Sequence, residues 1–593
     1  NKYRLANSFE RAGDIEKAKE IYEELTGIKP ENETFARALN NIYLQFKEYP
    51  ESIALLERAA AASPKNIDFY GMLGATYYIK GEDGKAFEIW DEAVKNFPDQ
   101  NFRYRTIANY AIENRAFDKA IEILKDGKEN AAEPEQYAYD LANLYSGTMK
   151  FEQAAEEYAF ALERQPKQLM MIRARIQNYI FSVGAFEPTA QVLEERYKES
   201  DLAVFLELLS YFYRQRGDFD RAFELAKELD KKSENNGSKI FSFAQDAYRE
   251  GNYEAAAKAY NEIIKSYGSS ALITSSKLGY ARSEEARLNR EAKAGLPDWK
   301  INLKSSDGNR ASYKNILTIY EELSGVNSEP RLVNEAIFRQ GKILKTNLDD
   351  LEAAKSKFTF LINNAPVSEL AQNSLLEMGK IYIKEGNFDA ANESLQKILK
   401  LDRNPVQLKN EANFLLGKIN FWQSHFDEAK NYLNEAAQNL EDDFSNNAIE
   451  LSMIINTFRN DSLNLSKFAY ADFLSAQEKF GKAKEEFRLI ASDNSLFLLN
   501  DLAKFRFAET AVAENDLPTA SEILKEIVLS EKENFYSDKS LYLLAEIYFF
   551  GFGDEDSALS YYEKLLERFP NSLYFEKSRE KINKIVTKRR NSI

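Results

Sequence analysis

Four columns of side chains recur at a fixed step of 34 residues through the first third of this chain, and that period leaves few folds open. Pro30, Pro64, Pro98 and Pro166 form one column, with Ala132 at the remaining step. Ala18, Ala86, Ala120 and Ala154 form a second, with Ser52 at its missing place. Tyr22, Leu56, Trp90, Leu124 and Tyr158 make a third, and Phe9, Tyr43, Tyr77, Ala111 and Tyr145 a fourth. A unit this short cannot bury its apolar faces alone, so copies stack into a quasi-one-dimensional array. In residues 66–100, Tyr70, Leu73, Gly74 and Tyr77 share one face of a first helix. Gly81 and Gly84 punctuate a turn, Ala86, Trp90 and Ala93 face back from a second helix, and Pro98 closes the unit. Gly74 and Ala86 are expected where the two helices come closest, with Tyr77 and Trp90 filling the space toward the next repeat.

Composition agrees with an all-helical array and removes several chemistries. Apolar residues make up 44% of the 593, enough for a core, and no composition shift divides the chain. There is no Cys and a single His, His425, which excludes thiolate chemistry and nearly excludes a His-rich metal centre or a His-dependent triad. His425 reads as a turn residue between two helices. No cofactor motif is present. The formal charge of −16 argues against nucleic acid, and Lys588-Arg589-Arg590 reads as a solvated tail. No apolar run is long enough to span a bilayer, so membrane association would have to pass through a partner. Asp349-Asp350 and Asp442-Asp443 read as helix-entry charges rather than an acid/base pair.

These columns closely resemble the tetratricopeptide repeat, whose pattern runs W-x2-L-G-x2-Y, then A-x3-F, then P. The resemblance extends along most of the chain. Gly184 with Phe186, Gly217 with Phe219 and Gly251 with Tyr253 repeat the turn, and Ala222 and Ala256 follow. Gly341, Gly379 and Gly417 stand 38 apart, with Ala354, Ala391 and Ala429 behind them. The resemblance implies an all-α, right-handed superhelical solenoid of about fifteen helix-turn-helix repeats, its concave groove lined by first helices. Residues 1–270 read as an N-terminal array. Residues 271–330 read as an irregular repeat with a loop insertion near 288–311, and 331–593 as a C-terminal array closed by a capping helix, Phe575 to Arg590. Trp299 in the insertion is a candidate interface anchor. A second break, Ala448 to Ser475, is expected to hold an irregular or extra helix. Asn1 falls inside a first-helix pattern without a polar cap. That end is expected to fray, to meet a partner, or to follow further repeats or a cleaved export signal.

In the family the groove is lined by the position after the small residue of each first helix. That column reads Asn7, Asn41, Ala75, Asn109, Asn143 and Asn178, then Gln245. An amide both donates and accepts, so a row of them suits the backbone of an extended peptide, although the family consensus itself favours Asn there. Further on the column turns basic, at Lys342, Lys380 and Lys418. Those ammonium groups either present positive potential to an acidic segment or pair with nearby carboxylates. The chaperone-tail clamp of some family members is not evident in the first three repeats, where Tyr3, Asn7, Asp68 and Met72 stand.

Phe569-Pro570-Asn571-Ser572 with Tyr574, and more loosely Ala365-Pro366-Val367-Ser368 with Ala371, resemble repeat endings of bacterial outer-membrane assembly and Tol-Pal-associated proteins. That resemblance and the absence of Cys imply a periplasmic or cell-envelope location, with cytoplasm as the alternative. The expected function is a non-catalytic scaffold that holds partner polypeptides. The alternatives are an architectural spacer in a larger complex and a regulatory subunit of an enzyme. The partner's identity and the oligomeric state are not written in these residues.

Overall fold

The computed structural model describes residues 1–98, 102–294, 309–325, 329–401, 404–438, 443–493, 497–529 and 535–590. Among the described residues every regular element is a helix. The chain forms two compact units, Asn1–Ile240 and Phe241–Ile593. The first holds seven successive helix pairs, from Lys2–Arg11 with Ile15–Ile28 to Ala203–Arg216 with Phe219–Lys232. Helix Ser238–Arg249 crosses the boundary and opens eight further pairs. These are joined by one unpaired helix, Asp443–Phe458, and closed by a terminal helix, Phe575–Arg590. The fifteen pairs among the described residues agree with the count of about fifteen repeats expected from sequence.

Four pairs close around one contact between a glycine and a large residue. A Cβ added at Gly74 would lie 2.3 Å from Trp90 Nε1, and the indole N–H donates to the Gly71 carbonyl at 3.1 Å. Trp90 is therefore packed inside its own pair, not toward the neighbouring repeat as the spacing suggested. Ala86 is fully buried, but the close approach at Gly74 is to the indole. The same contact recurs as Gly341 on Phe358, Gly379 on Leu395 and Gly417 on Leu433. One repeat departs at two columns together. Asn40 replaces the small residue and Ser52 replaces the alanine, and Ser52 Oγ donates to Asn40 Oδ1 at 2.5 Å while meeting Thr76 Oγ1 at 3.0 Å. The two departures form one satisfied polar network in the core.

The inter-helix turns share a backbone state that their sequences hide. Gly81 ends its helix at φ +91, and the equivalent Lys47, Arg115 and Met149 hold φ 61, 63 and 60. Gly84, read as part of the turn, lies in the first turn of helix Asp83–Asn96. His425 is the N-cap of Phe426–Ala436, between two helices as expected. Asp350 caps Leu351–Asn364 by accepting from the Ala353 amide at 3.0 Å.

The breaks resolve differently. Helix Ile273–Ala294 continues seven residues past Arg287, into the stretch read as a loop insertion, and the next helix starts at Arg310. Trp299 lies outside the described residues. The break at 448–475 is the extra helix Asp443–Phe458, followed by the ordinary pair Ser462–Ala476 and Phe480–Ala491. The terminal helix docks through buried Ile585, with Lys581 on Glu546 at 3.2 Å. Its last turn is exposed, as expected, and is tied down by surface ion pairs, Lys588 with Glu555 at 2.6 Å and Arg589 with Asp556 at 2.8 Å.

The small-to-large contact has a sign test. In an exposed helix interior Gly→Ala stabilises by up to about 1 kcal/mol. Gly74→Ala is expected instead to destabilise by about 1–3 kcal/mol, because the buried indole has nowhere to move. Gly84→Ala, with no atom within 4 Å of its added Cβ, is neutral or stabilising. Urea unfolding of both variants checks this, and equal shifts in one direction contradict it.

Candidate functional site

In the first unit the amide column divides into two kinds, and the residue 15 positions downstream on the second helix decides which. Where that residue is Tyr, the amide is held internally. Asn7 sits beside the Tyr22 hydroxyl, which itself donates to Glu10 at 3.0 Å, and Asn143 Oδ1 accepts from the Tyr158 hydroxyl at 2.8 Å and from Arg175 Nη1 at 3.2 Å. Where it is Leu56 or Leu124, no such bond is available. Asn41 and Asn109 stand exposed, without a side-chain partner among the described residues. Asn143 is thus oriented by chemistry: two donors occupy its oxygen, so its NH₂ group alone remains to meet a ligand. Asn178 lies one residue past helix Leu169–Gln177 and is exposed. Gln245, also exposed, belongs to the second unit.

Two adjoining clefts collect part of this column. One, of about 720 Å³, is lined by Asn109 and Asn143 with Phe102, Phe117, Arg105 and Asp140. The next, of about 440 Å³, is lined by Asn143 and Asn178 with Arg175, Ser182 and Val183. Asn143 and Gly147 belong to both, so the two form a continuous run across three repeats. Asn7 and Asn41 are not part of it. Near Asn41, the Tyr110 ring covers Gly71 and bridges first helices. Its hydroxyl donates to Asp68 and accepts from Arg37, both at 2.7 Å. Burial, with the bond to Asp68, raises the Tyr110 pKa, so the phenol keeps its proton.

In the second unit the lysine column is paired. Lys342 meets Glu377 at 3.1 Å, Lys345 meets it at 2.5 Å, and Lys380 lies 3.8 Å from it and 2.6 Å from Glu411. Burial opposes ionisation of Glu377, yet Lys345, Lys380 and Lys342 together outweigh it and hold the carboxyl at about 2. Lys345 is pushed below its ordinary value, chiefly by burial. Lys418 lies 3.5 Å from Asp472 and 4.9 Å from the Trp422 ring centre. Of the two readings of this column, internal pairing is the one present.

Sequence reasoning missed the network around Asp472. Trp422 Nε1 donates to Asp472 at 2.7 Å, Arg506 meets Glu509 at 2.7 Å and Glu450 at 3.7 Å, and Lys539 reaches Glu450 at 3.1 Å. A cavity of about 270 Å³ opens among Lys418, Glu450, Asp472 and Arg506, with cations and carboxylates in balance. The available signal was the spacing of Asp472 and Arg506, one 34-residue step apart. Arg175 was missed as well, since it stands beside the amide column rather than in it.

The architecture is a helical-repeat interaction scaffold. The chain carries tetratricopeptide repeats: family models of that description match residues 3–67, 244–270, 373–405 and 539–572. No curated protein matches the sequence. Among solved structures, one of Naa15/Naa10 bound to HypK-THB aligns over 100% of this chain and 97% of its own, at 16% identity and TM-score 0.28. A tetratricopeptide repeat protein from Parabacteroides merdae covers 52% of this chain and 99% of its own, at 13% and 0.29. The APC/C hetero-tetramer Cut9-Hcn1 covers 93% and 96%, at 12% and 0.21. No helix among the described residues is long and apolar enough to cross a membrane.

Glu377→Gln tests the paired lysines. It is expected to destabilise the fold by about 3 kcal/mol near neutral pH, the low end for a broken buried ion pair because the lysines stay partly hydrated. The folded value of about 2 lies below the unfolded carboxylate range of about 4.3. The contribution is therefore present above about pH 4.3 and lost as pH falls toward 2. Urea titrations at about pH 6 and about pH 3 should show the gap between wild type and variant narrowing in acid; a constant gap contradicts the assignment.

Proposed function

We propose that this protein is a non-catalytic scaffold that grips an extended segment of a partner polypeptide along the first helices of its N-terminal unit. The observation that carries this reading is the run of two clefts joined at Asn143 and Gly147, with Asn109 and Asn178 exposed at either side. An extended backbone offers alternating N–H and C=O groups. Asn109 and Asn178 can meet both, whereas Asn143 has its oxygen engaged and donates only. Phe102 and Val183, both exposed, give apolar contact to alternate side chains. The paired lysines of the second unit take no part in this reading. A periplasmic or envelope location is part of the proposal. It is supported by the Phe569-Pro570-Asn571-Ser572 ending and the absence of Cys, and fractionation of native cells tests it.

Asn109→Ala with Asn178→Ala removes two amides that hold nothing internally. The double variant should keep its unfolding midpoint, as surface changes usually do within about 0.5 kcal/mol. Retention of arrayed extended peptides should fall about tenfold, the combined effect of two ordinary hydrogen bonds. Unchanged retention by a folded variant removes the groove as the working surface.

A further inference from the structure

The cleft between Asn143 and Val183 differs in charge from its surroundings. Its lining contains one ionised side chain, Arg175, and no Asp or Glu. In the adjoining cleft Arg105 is paired with Asp140, with Nη2 3.0 Å from Oδ1. Arg175 has no carboxylate within ion-pair distance among the described residues. Its position is nevertheless fixed. Nη1 donates to Asn143 Oδ1, and the guanidinium lies over the Tyr139 ring at 5.4 Å. Such anchoring directs the remaining N–H groups without neutralising them.

The backbone beside Arg175 adds to this. Helix Leu169–Gln177 has nine residues, against 14 for first helix Pro134–Gly147 one repeat earlier. It continues as tight turns, with the Tyr179 and Ile180 amides bonded to the Ile176 carbonyl and the Ser182 amide to that of Tyr179. Asn178, Ser182 and Val183 line the cleft from this stretch, and the Val183 amide takes no protein acceptor among the described residues. Val183 is 100% exposed and Met149, across the cleft, 77%. A fixed cation, free donors and an apolar rim thus stand together in a chain whose net charge is −16.

We infer that this cleft reads an acidic residue within the bound segment: an internal Asp or Glu side chain on Arg175, followed by an apolar residue against Met149 and Val183. The inference rests on the peptide-binding reading above and deepens it. In a chain whose net charge is −16, an unpaired cation gives a carboxylate a preferred seat, so the contact sets register as well as affinity.

The test is an array of ten-residue peptides, acetylated and amidated at their ends, with Leu preceded by Glu, Gln or Lys at the centre of varied flanks. Wild-type protein should retain Glu peptides about tenfold better than Gln peptides, and Lys peptides least. Arg175→Gln should erase that preference while still retaining Gln peptides. Asn109→Ala with Asn178→Ala should lower retention of all three. Equal binding of Glu and Gln peptides overturns the acidic subsite and leaves the groove standing. A preference that survives in Arg175→Gln overturns it as well. Failure of every peptide to bind wild type overturns both.

Discussion

The contact between a residue without a side chain on one helix and a large residue about sixteen positions on, on the next, is what the rest of this structure depends on. Gly74 with Trp90, Gly341 with Phe358, Gly379 with Leu395 and Gly417 with Leu433 are four instances of one steric rule. The pair closes at that point because a Cβ there would overlap ring or branched-chain atoms, and dense interiors do not absorb such overlap. Once the pair is closed, its remaining apolar faces can be buried only by neighbours, and the chain becomes an array. The exception supports the rule. Where Asn40 takes the small position, Ser52 supplies it with a polar partner in the same space and is itself met by Thr76.

That closure also decides what the first helix can offer to a ligand. The position after the small residue points away from the pair, and whether its amide is free depends on the second helix. Tyr158 reaches back and holds Asn143, and Tyr22 stands beside Asn7; Leu56 and Leu124 have no hydroxyl to do so, and Asn41 and Asn109 stay free. The cost of placing free amides and an unpaired Arg175 at the surface is small, because water solvates them until a partner does. The second unit solves the same position differently. Its lysines sit on buried carboxylates such as Glu377, so they tie one repeat to the next instead of facing outward.

Helix pairing, repeat number, the extra helix near 448 and the capping helix were legible in the sequence because each follows from periodicity and volume. The turns were only half legible. Glycine announces positive φ at Gly81, but Lys47, Arg115 and Met149 adopt the same state, held there by the helices on both sides. Trp90 was placed in the wrong interface because spacing gives the face of a helix and not the depth a side chain reaches. Lysine pairing was open until Glu377, 35 residues beyond Lys342, was seen beside it. Arg175 was invisible for a related reason. What marks it is the absence of acids around it, and that absence is a property of three repeats together.

The central claim is that one extended segment lies along the joined clefts of the N-terminal unit. The most direct measurement places a photo-crosslinking residue at position 109 or 178 in turn and maps adducts on the captured partner by mass spectrometry. The account predicts adducts on one short segment, ordered along it as positions 109 and 178 are ordered along the groove, and none from the same probe at position 41. Adducts scattered over separate surfaces of the partner, or equal labelling from position 41, would contradict it.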